Sequence, residues 1–261
     1  MSSDVSPNEI VAAWIADQLN DGESVWAGTN LPVPRAGLML AHWTRCPNLR
    51  VLLSFYQHNF AGGESPPSSE MFADGRLRYG GELHLMDHSG VAFSHIRDID
   101  VFFVGGLQVD AHGNTNLIGI GDGDGGFKLR GAGPAGATSF SADCDRYFVY
   151  MTRHNPRVFV EACDFVSTVG PARRRELGLP GGGPEKVISP MGIFGFDEQD
   201  RLQLESTMPG TTPEKVQAAT GFDLTISEEV SEMPTPSDDQ LDVLRTQVDR
   251  DGYLRESSTE T

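Results

Sequence analysis

The chain has few cysteines, and the three that it has lie far apart. Cys46, Cys144 and Cys163 form no C-x-x-C pair, which disfavours a disulfide framework and fits a reducing cytoplasm. Long apolar runs are missing too, since no stretch approaches the roughly 18 to 20 apolar residues that span a bilayer. The first residues, M-S-S-D-V-S-P-N-E, lack the basic and apolar regions of a signal peptide. We therefore expect a cytoplasmic protein with no membrane partner.

Basic residues are scarce as well. The chain has 20 Lys and Arg against 37 Asp and Glu, a formal net charge of -17. Binding to nucleic acid without sequence preference needs basic side chains to neutralise phosphates, so we expect no nucleic-acid partner. The same deficit disfavours an anionic membrane surface. Part of the acidic excess follows residue 224, and such a segment is typical of a solvated surface.

Helical and strand patterns alternate along the chain. Residues 6–9, S-P-N-E, have the spacing of a capping box with proline at the first helical position, which predicts a helix start. Apolar runs at residues 49–54 and 165–168 are among those that predict strands. The alternation favours an α/β fold with an open, mainly parallel sheet and helices on both faces. We expect one domain over residues 1–225 and an acidic, partly helical C-terminal extension over residues 226–261.

A glycine-rich segment, G-A-G-P-A-G at residues 131–136, matches the pattern G-x-G-x-x-G. A dinucleotide site needs that pattern between the first strand and helix of a βαβ unit, but here it lies mid-chain and contains Pro134. Two interpretations stay open. The segment is either an ordinary glycine loop or a loop whose backbone N–H groups face an oxyanion or a thioester carbonyl. Glycine suits the second role because it lets the backbone approach a ligand closely.

Two patterns that would indicate a metal site are weak. His84 and His88 are four residues apart, but the glycines around them argue against a helix that would bring them together. Residues 122–125, D-G-D-G, are similar to a calcium loop, but Gly133 stands where that loop needs a glutamate. We expect no metal.

The most informative segment reads G-G-L-Q-V-D-A-H-G-N-T-N at residues 105–116. It follows an apolar run, and Asp110, Gly113 and Asn114 are the residues that a sharp turn requires. The segment resembles a signature of the β subunits of class I CoA-transferases. Other segments resemble that family in the same order, and the glutaconate-type branch is the most similar; they read G-T-N-L-P-V-P, C-P-N-L, R-V-F-V-E-A-C-D-F-V, G-L-P-G-G-G-P, M-P-G-T-T and T-G-F-D-L.

The resemblance implies an α/β enzyme subunit that works with a separate α subunit, as an α2β2 heterotetramer, on acyl-CoA thioesters. Coenzyme A is then part of the substrate, and no permanently bound cofactor is expected. The residues that the resemblance assigns to binding of CoA or the thioester are Gly28, Asn30, Gly131, Gly133 and Gly136.

The position of the family's nucleophile differs in this chain. In the transferases, a β-subunit glutamate attacks the thioester and forms an acyl anhydride and then a glutamyl-CoA thioester. The residue that matches this glutamate here is Ser54. Serine cannot form the anhydride, and it is a weak nucleophile without a base. Ser54 therefore marks the catalytic position but not the family's usual chemistry.

Three hypotheses follow from this departure. We favour hydrolysis of a C–C bond, the ring-opening reaction of family members that lack the glutamate, with the acidic group supplied by the partner subunit. The first alternative is a genuine transferase, of the glutaconate or 3-oxoacid type, whose displaced carboxylate is Glu64 or, failing that, Glu70 or Glu82. The second alternative is a non-catalytic structural subunit. Neither Arg35 nor Arg130 can be assigned to a substrate carboxylate from the sequence.

Overall fold

The computed structural model describes residues 5–28, 30–53 and 98–256, together with the backbone of residues 56–58 and 83–84. In this part of the chain the helices are α1 (Pro7–Asp17), α2 (Pro32–Thr44), α3 (Ala137–Asp143), α4 (Pro171–Leu177), α5 (Pro213–Ala218), α6 (Asp238–Val243) and α7 (Tyr253–Glu256), with a π-helical turn at Leu244–Val248. The strands are β1 (Ser24–Ala27), β2 (Arg50–Leu53), β3 (Tyr56–His58), β4 (Leu83–His84), β5 (Val101–Gly105), β6 (Gln108–Asp110), β7 (Thr115–Asn116), β8 (Gly119–Gly121), β9 (Phe127–Arg130), β10 (Arg146–Tyr150), β11 (Phe159–Val160), β12 (Pro184–Ser189), β13 (Gly192–Phe196), β14 (Leu202–Thr207) and β15 (Thr225–Glu232). Of the helices described, none is long and apolar enough to cross a membrane.

The chain divides into two compact units, of which the first comprises Met1–Val101 and Pro234–Thr261. In this unit β1 and β2 pair in parallel, and β3 and β4 continue the sheet in antiparallel pairs. The predicted capping box is confirmed at the start of α1. The Ser6 hydroxyl accepts the amide of Glu9, and the Glu9 carboxylate accepts the amide of Ser6.

The acidic C-terminal segment contributes to the core of the first unit. Its buried apolar residues are Leu241, Leu244, Val248 and Leu254. Arg245 donates to the carboxylate of Glu9, with Nε 2.7 Å from Oε1 and Nη2 3.0 Å from Oε2. Burial acts to raise the pKa of Glu9, but the hydrogen bonds from Arg245 and Ser6 outweigh it and hold that pKa below its ordinary value. This pair ties the C-terminal segment to α1, and removal of Arg245 would leave the buried carboxylate of Glu9 uncompensated.

The second unit, Phe102–Met233, contains most of the strands. β10 pairs with β12 and β14 with β15 in parallel, whereas β12, β13 and β14 form antiparallel pairs. The side chains of β5 and β10 are almost all buried, and the rings of Phe103 and Phe148 stack with centroids 4.9 Å apart. The α/β class predicted from the sequence is confirmed, with parallel and antiparallel pairs mixed. The predicted boundary between residues 225 and 226 stays a prediction.

Two small elements complete the second unit. β11, β6 and β7 form a three-stranded sheet, and β8 and β9 form a two-stranded ribbon. The strand predicted at residues 165–168 is wrong. Only Thr168 pairs with another strand residue, in an isolated bridge to Thr115. The amides of Ser167 and Thr168 both donate to the carbonyl of Thr115, so successive residues do not form the alternating hydrogen bonds of a strand pair.

A buried arginine fixes the end of α3. Arg174 donates to the carbonyls of Ser141 at 2.6 Å, Ala142 at 3.1 Å and Gly181 at 2.5 Å. The carbonyls at the end of a helix carry partial negative charge, which a planar guanidinium with several donors satisfies well. Arg174 thereby joins α3 to the glycine-rich connection before β12.

Candidate functional site

The signature turn after β6 is held by the side chain of Asp110. Its Oδ1 accepts the amides of His112 and Asn114, both at 3.0 Å. Asn114 Nδ2 donates to both carboxylate oxygens, and Asn114 Oδ1 accepts the amide of Gly170 at 2.9 Å. Gly113 has a φ of +75°, which glycine adopts without strain. The predicted turn is confirmed, and the buried carboxylate of Asp110 serves to hold the backbone.

The predicted thioester loop, residues 131–136, connects β9 to α3. The amide of Gly131 donates to the carbonyl of Ile118 at 2.8 Å, and the amide of Gly133 donates to the carbonyl of Leu117 at 2.9 Å. A Cβ on Gly131 would lie 2.4 Å from the Leu117 oxygen, so only glycine fits there without a shift. The loop is therefore held against the segment that follows the signature.

Two amides of this loop, those of Gly131 and Gly133, are used inside the protein. Within the described residues, the amides of Ala132, Ala135 and Gly136 donate to no acceptor. Ala132 and Ala135 are exposed, and Ala135 has a φ of 45°. Free backbone amides in a fixed loop are suited to binding a partial negative charge on an oxygen atom.

The loop between β1 and α2 contains the other predicted binding residues. Gly28 is half-buried and Asn30 is exposed, with a φ of 55°. The guanidinium of Arg35, which is fully buried, donates to the Gly28 carbonyl at 3.0 Å. Arg35 is therefore a structural residue that fixes where this loop leaves β1. Gly28 and Asn30 belong to the first unit, whereas Gly131, Gly133 and Gly136 belong to the second.

The register of β1 and β2 locates the position of the family's nucleophile. Ala27 pairs with Leu53, and the next residues in the sequence are Gly28 and Ser54. In α/β sheets, ligands bind beyond the carboxyl ends of parallel strands. Ala27 and Leu53 are the last residues of β1 and β2 at that end. Ser54 itself and the three candidate carboxylates lie outside the described residues, so their roles stay predictions; the carboxylates are Glu64, Glu70 and Glu82.

The β8–β9 ribbon presents apolar side chains next to the glycine loop. Phe127 is 41% exposed and Leu129 is 52% exposed. The guanidinium of Arg130 lies 4.9 Å above the Phe127 ring. The ring centroids of Phe127 and Phe165 are 5.2 Å apart. The contact with Phe127 explains the position of Arg130 without a substrate carboxylate.

The three cysteines are not activated nucleophiles. Burial raises the pKa of Cys46, raises that of Cys144 to about 12, and raises that of Cys163 as well. A thiol with a raised pKa carries little thiolate at neutral pH. All three are free thiols. Across the described part of the chain, no group of three or more His, Cys, Asp or Glu is placed to hold a metal ion, and the metal-free expectation stays a prediction.

Sequence reasoning assigned no role in the site to the residues that support it from a distance. Arg35 and Arg174 are buried cations that donate to backbone carbonyls, and Asn116 is buried beside the glycine loop. Their partners are distant in sequence or lie in loops, so no local spacing indicates them. Only the place of Asn116 within the signature singled out that residue.

The comparisons with known proteins agree with this architecture, although no model of a known protein family matches the chain. The chain is similar to glutaconate CoA-transferase B of Acidaminococcus fermentans, one of the subunits of that enzyme, with 30% identity over 263 aligned positions, covering 92% of this chain and 91% of that protein. It is 30% identical over 159 positions to the cholesterol ring-cleaving hydrolase IpdB subunit of Mycobacterium bovis, covering 56% of this chain and 59% of that protein.

A solved structure gives the same result for the fold. The crystal structure of glutaconate coenzyme A-transferase from Acidaminococcus fermentans matches with a TM-score of 0.80 and 27% identity, covering 95% of this chain and 96% of that one. The similarity extends over nearly the whole of both chains in sequence and in fold. The chain belongs to the class I CoA-transferase family, in which it is a β subunit and so part of an enzyme.

Proposed function

We propose that this β subunit, with an α subunit in an α2β2 heterotetramer, hydrolyses a C–C bond of a cyclic acyl-CoA. The observation that carries the proposal is at the carboxyl end of β2. Leu53 pairs with Ala27 at the edge where the resemblance places the glutamate of the transferases, and the next residue is Ser54. Without that carboxylate, this position has no residue that can form the glutamyl-CoA thioester through which CoA passes from one acyl group to another. Similarity to the subunit of a ring-cleaving hydrolase supports the same reaction.

The reaction balances with water as the only co-substrate. Water adds to a ring ketone carbon in the β position of the thioester. The bond from that carbon to the α carbon breaks, and its electron pair moves into the thioester as an enolate. A proton then adds to the α carbon, so the product is a ring-opened carboxylic acid that still carries its CoA thioester. Such a reaction needs a base for the water and donors for the enolate oxygen.

The glycine loop fits the second of these needs. The amides of Ala132, Ala135 and Gly136 have no acceptor among the described residues, and we assign the enolate oxygen to this group. Gly131 and Gly133 give the loop its shape, since their own amides bind carbonyls. We assign the CoA moiety to Gly28 and Asn30, and the base to an acidic residue of the α subunit.

Little else is required for this chemistry. The CoA thioester is a substrate that enters and leaves, so the reaction needs no permanently bound cofactor. Three free thiols fit the reducing cytoplasm expected from the sequence.

A product assay tests the proposal. The chain is co-expressed with its α subunit and supplied with a cyclic β-keto acyl-CoA in water labelled with ¹⁸O. We expect a ring-opened CoA thioester that has gained one water, with the label in the new carboxylate and no free CoA. Each subunit alone is the control and should give no product. Transfer of CoA to added acetate or glutaconate, with the ring left closed, would contradict the proposal.

The second candidate is a CoA-transferase with a displaced carboxylate. The 30% identity to glutaconate CoA-transferase B over 92% of the chain favours it. Glu64 is then the nucleophile, and Glu64→Ala abolishes transfer of CoA from acetyl-CoA to glutaconate. Transfer that persists in this variant removes Glu64 from consideration.

A further inference from the structure

The second asparagine of the signature, Asn116, is fully buried although its side chain is polar. Its Nδ2 donates to Oε1 of Gln108 and to the carbonyl of Gly119, both at 2.7 Å. Its Oδ1 accepts the amide of Ile118 at 2.9 Å and the amide of Gly119 at 3.3 Å. One side chain therefore binds three backbone groups of the segment that immediately follows it.

The same segment supports the glycine loop. The Leu117 carbonyl, which accepts the amide of Gly133, belongs to the peptide group whose N–H is that of Ile118. The Ile118 carbonyl, which accepts the amide of Gly131, belongs to the peptide group whose N–H is that of Gly119. Because a peptide group is planar and trans, its N–H and C=O point in opposite directions. Oδ1 of Asn116 thus accepts the N–H of both peptide groups whose carbonyls hold the loop.

Ser167 gives the segment a second support. Its hydroxyl accepts the amide of Leu117 at 2.9 Å, and its carbonyl accepts the hydroxyl of Thr138 at 2.9 Å. Thr138 lies in the first turn of α3, directly after the glycine loop. Ser167 therefore links α3, the helix after the loop, to the segment that holds the loop.

We propose that Asn116 is a positioning residue for the reaction, because it orients the two peptide groups that fix the glycine loop. This role rests on the proposed function of that loop in binding the enolate oxygen. The geometry needs two donated and two accepted hydrogen bonds on one short side chain, which an amide provides and a hydroxyl, with one hydrogen to donate, does not. Aspartate would keep the acceptor, but it would place a buried charge against the oxygens of Gln108 and Gly119.

Hydrogen exchange of the assembled enzyme tests the structural half of this role. We expect the amides of Gly131 and Gly133, the two in this loop that donate to carbonyls of the protein, to exchange roughly tenfold faster or more in Asn116→Ala, as followed by mass spectrometry. Asn114→Ala is the matched control. The Asn114 side chain anchors the signature turn after β6 through Asp110 and Gly170, and it does not bind the peptide groups that hold the loop. Exchange of the loop should be unchanged in that control.

Steady-state kinetics with a cyclic β-keto acyl-CoA test the catalytic half. We expect kcat to fall by about 10- to 100-fold in Asn116→Ala, with KM within about threefold, because a displaced loop loses contacts made only to the enolate. Ser167→Ala removes the second support at little cost in volume and should give a smaller change of the same kind. This second variant keeps the test available if Asn116→Ala does not fold.

The two measurements separate the inference from the proposed function. Loop exchange that is unchanged in both Asn116→Ala and Ser167→Ala overturns the inference. Equal losses of kcat in Asn116→Ala and Asn114→Ala also overturn it, because they would reflect a general loss of stability. Faster exchange with unchanged kcat upholds the placement of the loop by Asn116 and rejects the proposed role of the loop in catalysis.

Discussion

Replacing Gly131 with alanine is expected to lower kcat of the assembled enzyme by about 100-fold or more. A Cβ at this position would lie 2.4 Å from the carbonyl oxygen of Leu117 and 2.8 Å from Leu107 Cδ1. The carbonyl belongs to the backbone and cannot rotate away, so the loop itself must shift. We expect the shift to cost about 1–3 kcal/mol of stability, which a folded enzyme tolerates. The loss appears in kcat, measured with the ring-opening substrate, because donors for a developing charge must be placed accurately.

The matched control for this variant lies in the β8–β9 ribbon, which directly precedes the glycine loop. A Cβ on Gly121 in β8 would meet nothing closer than Asp164 Oδ2 at 3.9 Å, an ordinary contact distance. Gly121→Ala should therefore keep kcat within about threefold of the parent enzyme. If Gly131→Ala is equally active, the loop does not bind the enolate, and the structural-subunit alternative gains support.

Acid is expected to destabilise the second unit through His154. The Thr220 hydroxyl donates to the carbonyl of Val216, so it accepts Nε2–H of His154, and Nδ1 then accepts the Ser189 hydroxyl. The ring also stacks on Phe159, with centroids 3.7 Å apart. Burial lowers the pKa of His154 to about 3 from its ordinary value of 6.5, because the charged imidazolium loses its hydration.

The direction of the pH effect follows from these two values. Between pH 6.5 and about 3 the unfolded chain binds a proton at His154 that the folded chain does not, so stability falls as the pH falls. Denaturant unfolding should show a loss of about 2 kcal/mol from this group between pH 7 and pH 5. His154→Asn should be less stable at pH 7 and should lack this part of the slope. His112→Asn, at an exposed histidine, should keep it. Identical slopes in the parent and His154→Asn would refute the assignment.

Features that depend on neighbouring residues could be predicted from the sequence. The capping box at Ser6 and Glu9 and the turn at Asp110 are formed by side chains that bind backbone groups within four residues. In these cases the donor and the acceptor of each hydrogen bond lie within one short segment.

Features that depend on distant contacts could not be predicted. β9 has Phe127 and Leu129 on one face, but all four of its residues are exposed, so it has no buried face to indicate a strand. The excess of acidic residues after residue 224 predicted a solvated surface segment, but Leu244 and Leu254 in that segment are fully buried in the first unit. The segment that holds the glycine loop is bound by two side chains, those of Asn116 and Ser167, which lie about fifty residues apart in the chain. Sequence spacing carries no signal for such a network.

The most direct test of the central claim is a search for a covalent intermediate on this chain. The assembled enzyme is incubated with its acyl-CoA substrate, treated with borohydride, and digested for mass spectrometry. A glutamyl-CoA thioester would be reduced and would mark its glutamate. Because Ser54 replaces the nucleophile, we predict full turnover with no reduced glutamate on this chain. A reduced residue at Glu64, Glu70 or Glu82, with loss of activity in proportion, would contradict the account.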